Sequence, residues 1–178
     1  MDLLKKEKHD VLVLRNNIEL TALEEIVAKE DKCCFVLSPG PGTPKNAGNL
    51  IDIVKRFKGK IPMLGVCLGH QAIIEVHGGK IIKSREVVHG KSSVLDLSGH
   101  ALFNGLGPNM IIGRYHSLQG SELPAELNIL AEYNNIPMII AHKDLSLIGF
   151  QFHPESIMSP MGGKLINNAI EILKEKNA

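Results

Sequence analysis

The chain has 178 residues, with 20 Lys and Arg against 19 Asp and Glu for a net charge of +1. That length supports one domain spanning residues 1–178 with a well-buried core. The even charge balance, with no basic cluster alternating with aromatics, argues against nucleic acid or an anionic membrane as a partner. The opening MDLLKKEKHD lacks an apolar stretch of signal-peptide length, and no run reaches membrane-spanning length, so a cytoplasmic location is expected.

Short β-branched runs alternate with helical patterns through the first half. The pattern predicts a strand at DVLVLR (10–15), a helix at TALEEIVAKE (21–30) and a strand at CCFVLS (33–38). A Gly/Pro loop follows, then a helix at NLIDIVKRFKG (49–59), a strand at IPMLGV (61–66) and a helix from Leu68 to about His77. This rhythm is that of βαβ units, which predicts an α/β fold of three layers around a mainly parallel sheet, with helices on both faces. The second half has short strand-like segments near 80–84, 93–97, 110–116, 128–133, 137–142 and 147–152, with turns such as YNNIP between them, and predicts an antiparallel extension. A last helix over 162–176 carries Leu165, Ile166, Ala169, Ile170 and Leu173 at helical spacing and should pack one face on the sheet. No internal repeat, low-complexity tract or linker interrupts this order.

Three cysteines in a chain without an export signal argue against a disulfide framework. Cys33 and Cys34 read as small core hydrophobes in their strand, since no further ligands stand at metal-binding spacing nearby. Cys67 differs. In GVCLGHQ it follows a strand and opens a helix, the setting of a strained nucleophile turn, with glycines two positions away on either side to let the backbone fold sharply. Partial positive charge at a helix N-terminus favours a thiolate. The plain alternative is a buried cysteine in an ordinary strand-to-helix turn.

A thiolate nucleophile needs a base and a group that orients it. His153 ends the apolar run LIGFQF and precedes Pro154, which biases it toward extended backbone. Residues two apart on extended chain face the same way, so Glu155 can hold the His153 ring. HPE alone is more often a turn, but the cysteine turn reverses that reading. His70 lies in the first turn of the helix after Cys67, where a structural role is expected, and His116 is expected to be pocket architecture. SPGPGTP (38–44) makes a stiff loop after a strand, able to aim N–H groups at a developing oxyanion, with the Leu68 amide as second donor. A phosphate cradle competes for this loop, yet it carries no GK[ST] and does not fit a dinucleotide fingerprint. A rigid turn without function is the remaining alternative.

SPGPGTP, GVCLGHQ, VHGKSS, RYHSL and FQFHPES, in that order from about Val11 to the C-terminus, closely resemble the class I (triad) glutamine amidotransferases, whose fold is flavodoxin-like. Within them the resemblance is to the small subunits of anthranilate synthase and aminodeoxychorismate synthase, and HGK looks like the mark of this chorismate-associated branch. It implies that Cys67 attacks the carboxamide of L-glutamine, His153 relays the proton to ammonia and Glu155 orients His153. It further implies that Gly40, Pro41 and Gly42 line the glutamine and oxyanion pocket, that Gln71 contacts the substrate, and that Ser117 and Leu118 bind its amino-acid end through backbone groups. His89, Gly90 and Lys91 would face the partner, a chorismate-binding large subunit (component I of either synthase). Mg²⁺ is expected in that partner, and no cofactor or metal in this chain.

The chain departs from the family at its start, where an apolar strand and an Asp-x-x-Asp-Ser-Phe segment are usual. MDLLKKEKHDVLVLR instead looks like the tail of the first helix and then the second strand. The sheet is therefore expected to lack its usual first strand, leaving an apolar groove and a chain less stable than a full-length relative. A catalytically silent interaction subunit is the second reading. A peptidase-like cysteine hydrolase explains neither HGK nor RYHSL.

Overall fold

The computed structural model describes residues 4–5, 9–84 and 86–175. Helix α1 (Leu20–Val27) leads into β1 (Phe35–Leu37), and the Gly/Pro loop ends in a 3-10 turn at Pro44–Asn46 before α2 (Leu50–Phe57). Strand β2 (Met63–Val66) then runs directly into α3 (Leu68–Val76). The second half holds β3 (Lys80–Lys83), β4 (Lys91–Asp96), β5 (Asn109–Arg114), β6 (Leu118–Ser121), β7 (Leu127–Tyr133), β8 (Ile136–His142) and β9 (Leu147–Phe150). Helix α4 (Gly162–Glu175) closes the order.

The central sheet has the order β1-β2-β9-β8-β7. β1, β2 and β9 are parallel neighbours, whereas β8 and β7 continue the sheet antiparallel. Alternation along β2 builds the layers: Leu64 and Val66 enter the core beneath α4, while Met63 enters the core shared with α1, α2 and α3. In α2, Leu50, Ile53, Val54 and Phe57 are buried at helical spacing, each contributing about 1.5–3 kcal/mol through removal from water. The tight β7–β8 turn uses Asn134 and Asn135 at φ 50° and 59°, the left-handed pair that a two-residue hairpin requires.

The register positions the site. β2 and β9 pair through Gly65–Gly149 and Val66–Phe150, and the Cys67 amide donates to the Phe150 carbonyl at 2.7 Å. The chain segments leaving both strands therefore lie side by side at the carboxyl edge of the sheet, where open α/β folds bind ligands.

Two expectations need correction, and one strand was not expected at all. Residues 10–15 form no strand: Leu12 and Val13 are 67% and 65% exposed, and the outer edge of β1 has no ladder partner among the described residues. An apolar run becomes a strand only through pairing, which its composition cannot supply alone. The expected helix tail before it lies mostly on residues outside the described set. Next, the middle strands do not extend the main sheet: β3 pairs with β6 and β4 with β5 in separate antiparallel ribbons. Finally, β6 (LQGS) was not foreseen, its Gly and polar residues giving no strand pattern. Cys33 and Cys34 are half-buried, with Cys34 against the core and its thiol pushed up to about 12, chiefly by burial.

Candidate active site

Cys67 sits at φ 50°, ψ −95°, a conformation that a non-glycine residue adopts only when its surroundings force it. The surroundings are the flanking glycines. A Cβ on Gly65 would stand 2.6 Å from the Gly69 carbonyl carbon, and one on Gly69 would overlap the Leu37 carbonyl oxygen. Strand, turn and helix thus meet backbone to backbone, and only glycine fits at either position. The Cys67 carbonyl accepts from the Gln71 amide at 3.0 Å as the helix begins. Leu68 follows at the first helical position, where an N–H has no intrahelical acceptor.

His153 arrives from the neighbouring strand. Its amide donates to the Gly113 carbonyl at 3.0 Å, and its carbonyl accepts from the Ser159 hydroxyl at 2.7 Å. The same hydroxyl oxygen accepts the Gly113 amide at 2.9 Å, so Ser159 and Gly113 clamp both sides of the residue. Nδ1 of His153 lies 2.7 Å from Glu155 Oε1. Burial works against protonation of this ring, but hydrogen bonds with Cys67 and Glu155 and their charges prevail, raising its pKa to about 9. Burial likewise opposes ionisation of Glu155, and the hydrogen bond and charge of His153 nonetheless hold it below the ordinary carboxylate value. An imidazole held between a sulfur and a carboxylate can carry a proton between reacting atoms.

The other predicted residues fall around this group in different ways. Gly40 approaches Leu68 so closely that a Cβ would lie 2.9 Å from its side chain, and Gly42 takes φ 79°. Pro41, between them, is exposed at the loop tip. Gln71 is buried, its amide donating to the Leu118 carbonyl at 3.3 Å and to Gln151 Oε1 at 3.2 Å. Ser117 is exposed, and its carbonyl is already taken by the Ser84 amide at 2.8 Å. His70 is fully buried against Gly149, and burial lowers its pKa to about 3. Burial also lowers His116, to about 4, although Nδ1 contacts the Leu118 carbonyl.

Sequence reasoning missed Gln151, which is fully buried between Gln71 and Cys67, its amide 3.8 Å from Sγ. The expected strand over 147–152 offered a partial signal, since residues two apart on a strand share a face, but β9 ends at Phe150 and residues 151–152 form a bend. Ser159 and Tyr115 were also missed. The Tyr115 ring meets the His153 ring edge to face, with centroids 5.0 Å apart.

His89 is exposed, while the Gly90 amide donates to the Arg114 carbonyl at 2.9 Å. Lys91 pairs with Glu86 at 3.3 Å, and Glu86 also receives Arg114 at 3.2 Å. Those two hydrogen bonds, Lys91 first, hold the Glu86 carboxyl below its usual range. This turn is therefore tied to the β5 segment that carries Tyr115 and His116. Among the described residues no group of His, Cys, Asp and Glu is arranged to hold a metal ion, and no helix is long and apolar enough to cross a membrane.

The sequence matches the family "Glutamine amidotransferase class-I" over residues 1–172. The chain belongs to that family. It is accordingly a glutamine amidotransferase, and relatives of known name agree. It is 45% identical to anthranilate synthase component 2 of Helicobacter pylori strain J99, over 94% of this chain and 87% of that protein. It is 46% identical to the protein of the same name from Haemophilus influenzae, over 93% and 86%, and 43% identical to that of Vibrio parahaemolyticus, over 95% and 86%. The fold matches a solved glutamine amidotransferase from Thermotoga maritima with a TM-score of 0.65 at 17% identity, over 98% of this chain and 75% of that one. It also matches a candidate GMP synthase subunit from Thermoplasma acidophilum with a TM-score of 0.83 at 22% identity, over 98% and 86%.

Proposed function

We propose that this chain is the glutaminase subunit of anthranilate synthase, releasing ammonia from L-glutamine for a chorismate-converting partner. Cys67 gives its proton to His153 and its sulfur attacks the carboxamide carbon. The oxyanion is held by the Leu68 amide and the loop of Gly40, Pro41 and Gly42. Collapse breaks the carbon–nitrogen bond, and the imidazolium protonates the departing nitrogen, which leaves as ammonia. Water then attacks the glutamyl thioester, with His153 now accepting a proton, and glutamate leaves. Glu155 keeps the imidazole in the needed tautomer and stabilises its charged form. Gln71, Ser117 and Leu118 position glutamine, and His89, Gly90 and Lys91 face the partner. Any Mg²⁺ requirement belongs to that partner.

The observation that carries this reading is the strained Cys67 turn together with His153, whose ring is hydrogen-bonded to Glu155 and whose pKa is raised by Cys67 and Glu155. The amino-acceptor side rests on the names of the relatives, all three anthranilate synthase component 2. Glutamate release from glutamine, measured with and without the chorismate-binding subunit, tests the reading. Activity abolished by Cys67→Ser supports it, and the aminated product made by the pair identifies the synthase. No release in either condition would instead favour a silent interaction subunit.

A further inference from the structure

Tyr115, a side chain outside the proposed triad, touches the His153 ring and also reaches the surface, where it is 39% exposed. Its ring meets the imidazole at 72° with centroids 5.0 Å apart, an edge-to-face contact that favours one orientation of each ring. Its hydroxyl stands 3.1 Å from Ser156 Oγ and donates to Met158 Sδ at 3.1 Å, both in the turn that follows Glu155. The contact therefore braces the imidazole and the turn carrying its carboxylate together.

The HGK turn also approaches this ring closely. A Cβ on Gly90 would lie 3.3 Å from Tyr115 Cε1, and Gly90 sits at φ 76°. Backbone hydrogen bonds on both sides fix this approach: the Gly90 amide donates to Arg114 and the Val88 amide to His116, at 2.9 and 3.1 Å. Lys91 adds a second tie through Glu86 to Arg114. Any displacement of residues 88–91 is thus applied to the segment 114–116, which includes Tyr115, the side chain that meets His153.

We propose that Tyr115 is a positioning residue for His153 and the element through which the His89–Lys91 turn acts on the triad. The proposal rests on the glutaminase reading and extends it: a partner seated on that turn sets the glutaminase rate by setting the Tyr115 ring. Tyr115 touches neither glutamine nor the reacting sulfur in this role.

The test uses the full chain, with Tyr115→Ala, Tyr115→Phe, Gly90→Ala and the Gly90→Ala/Tyr115→Ala double variant. Reactive sites are counted by titration with a glutamine analogue bearing a diazoketone, so that a folding defect lowers the number of sites and not the rate per site. Tyr115→Ala should lower kcat per titrated site roughly tenfold with KM little changed, because a misplaced catalytic group costs rate and not ground-state binding. Tyr115→Phe, which keeps the ring, should restore most of the rate. Gly90→Ala should lower kcat in the parent and have no further effect beside Tyr115→Ala, the signature of a shared path. In parallel, the His153 ring resonances in histidine-labelled protein should shift in Tyr115→Ala and hold in Tyr115→Phe. An unchanged kcat per site in Tyr115→Ala, additive effects with Gly90→Ala, or a His153 resonance blind to both changes would each overturn the proposal. Absence of glutamine hydrolysis in the parent both with and without the chorismate-binding subunit, with the His153 resonance still responding to Tyr115 and Gly90, would sink the glutaminase reading and leave the positioning role standing.

Discussion

The charge of His153 bears on His116, yet the two sides of the site treat these imidazoles in opposite ways. On the β9 side, His153 is drawn to about 9 by Cys67 and Glu155 despite its burial. On the β5 side, burial drives His116 to about 4, and the nearby cations Arg114 and His153 add to the effect. His70, under the Cys67 helix, is pushed lower still by burial, to about 3. The lesson is that burial and neighbouring charge decide which imidazole near Cys67 holds a proton. An imidazole can hold a proton at neutral pH only where anions or their hydrogen bonds outweigh desolvation, and Glu155 provides that on one side alone.

The comparison breaks most completely if His153 is removed. His153→Asn should lower glutamate release per site by roughly a hundredfold to ten-thousandfold, the range of general acid–base catalysis, whereas His70 and His116 cannot replace it at neutral pH. The next effect sharpens the comparison by moving His153 toward its neighbours. Glu155 raises the His153 pKa, so Glu155→Gln should lower it. The alkaline limb of kcat/KM, expected near pH 9 in the parent, should then move to lower pH, with a loss of roughly tenfold or more in rate.

The scaffold under both sides gives the third effect. Gly69→Ala places a methyl against the Leu37 backbone carbonyl, and thermal unfolding should report a loss of about 1–3 kcal/mol, as for overpacked cores. The smallest effect is a pH dependence of stability. His116 and His70 bind a proton more readily in the unfolded chain than in the fold. Their contribution therefore weakens as pH falls from 6.5, the ordinary histidine value, toward about 4 and 3. His153 has the opposite sign: its contribution is complete below 6.5 and is lost as pH rises through about 9. His116→Asn should make the acid decline of the unfolding midpoint shallower and leave the alkaline decline in place.

The side holding His153 was legible in the sequence because its constraints are local. The glycines flanking Cys67 encode a tight turn that a short stretch of chain decides by itself. The alternation of strands and helices through α3 was readable for the same reason. Glu155 does reach His153, though not along extended chain as expected: residues 154–155 form a turn closed by the Ser156 amide on the His153 carbonyl. The β5 side was less legible. β3 pairs with β6 across two intervening strands, and although β4 and β5 are consecutive, no local pattern says that they leave the main sheet. Gln151, Tyr115 and Ser159 were overlooked because their contacts come from other segments: Gln71, Gly90 and Gly113. Residues 10–15 failed in the converse sense, carrying a strand's composition without a strand's partner.

The most direct measurement is the site of covalent capture by the diazoketone analogue of glutamine, read by peptide mass spectrometry on the whole chain. Modification at Cys67, blocked by glutamine and absent in Cys67→Ser, is the predicted result. Modification at Cys33 or Cys34 instead, or a Cys67 that stays unlabelled while the protein is folded, would contradict the account.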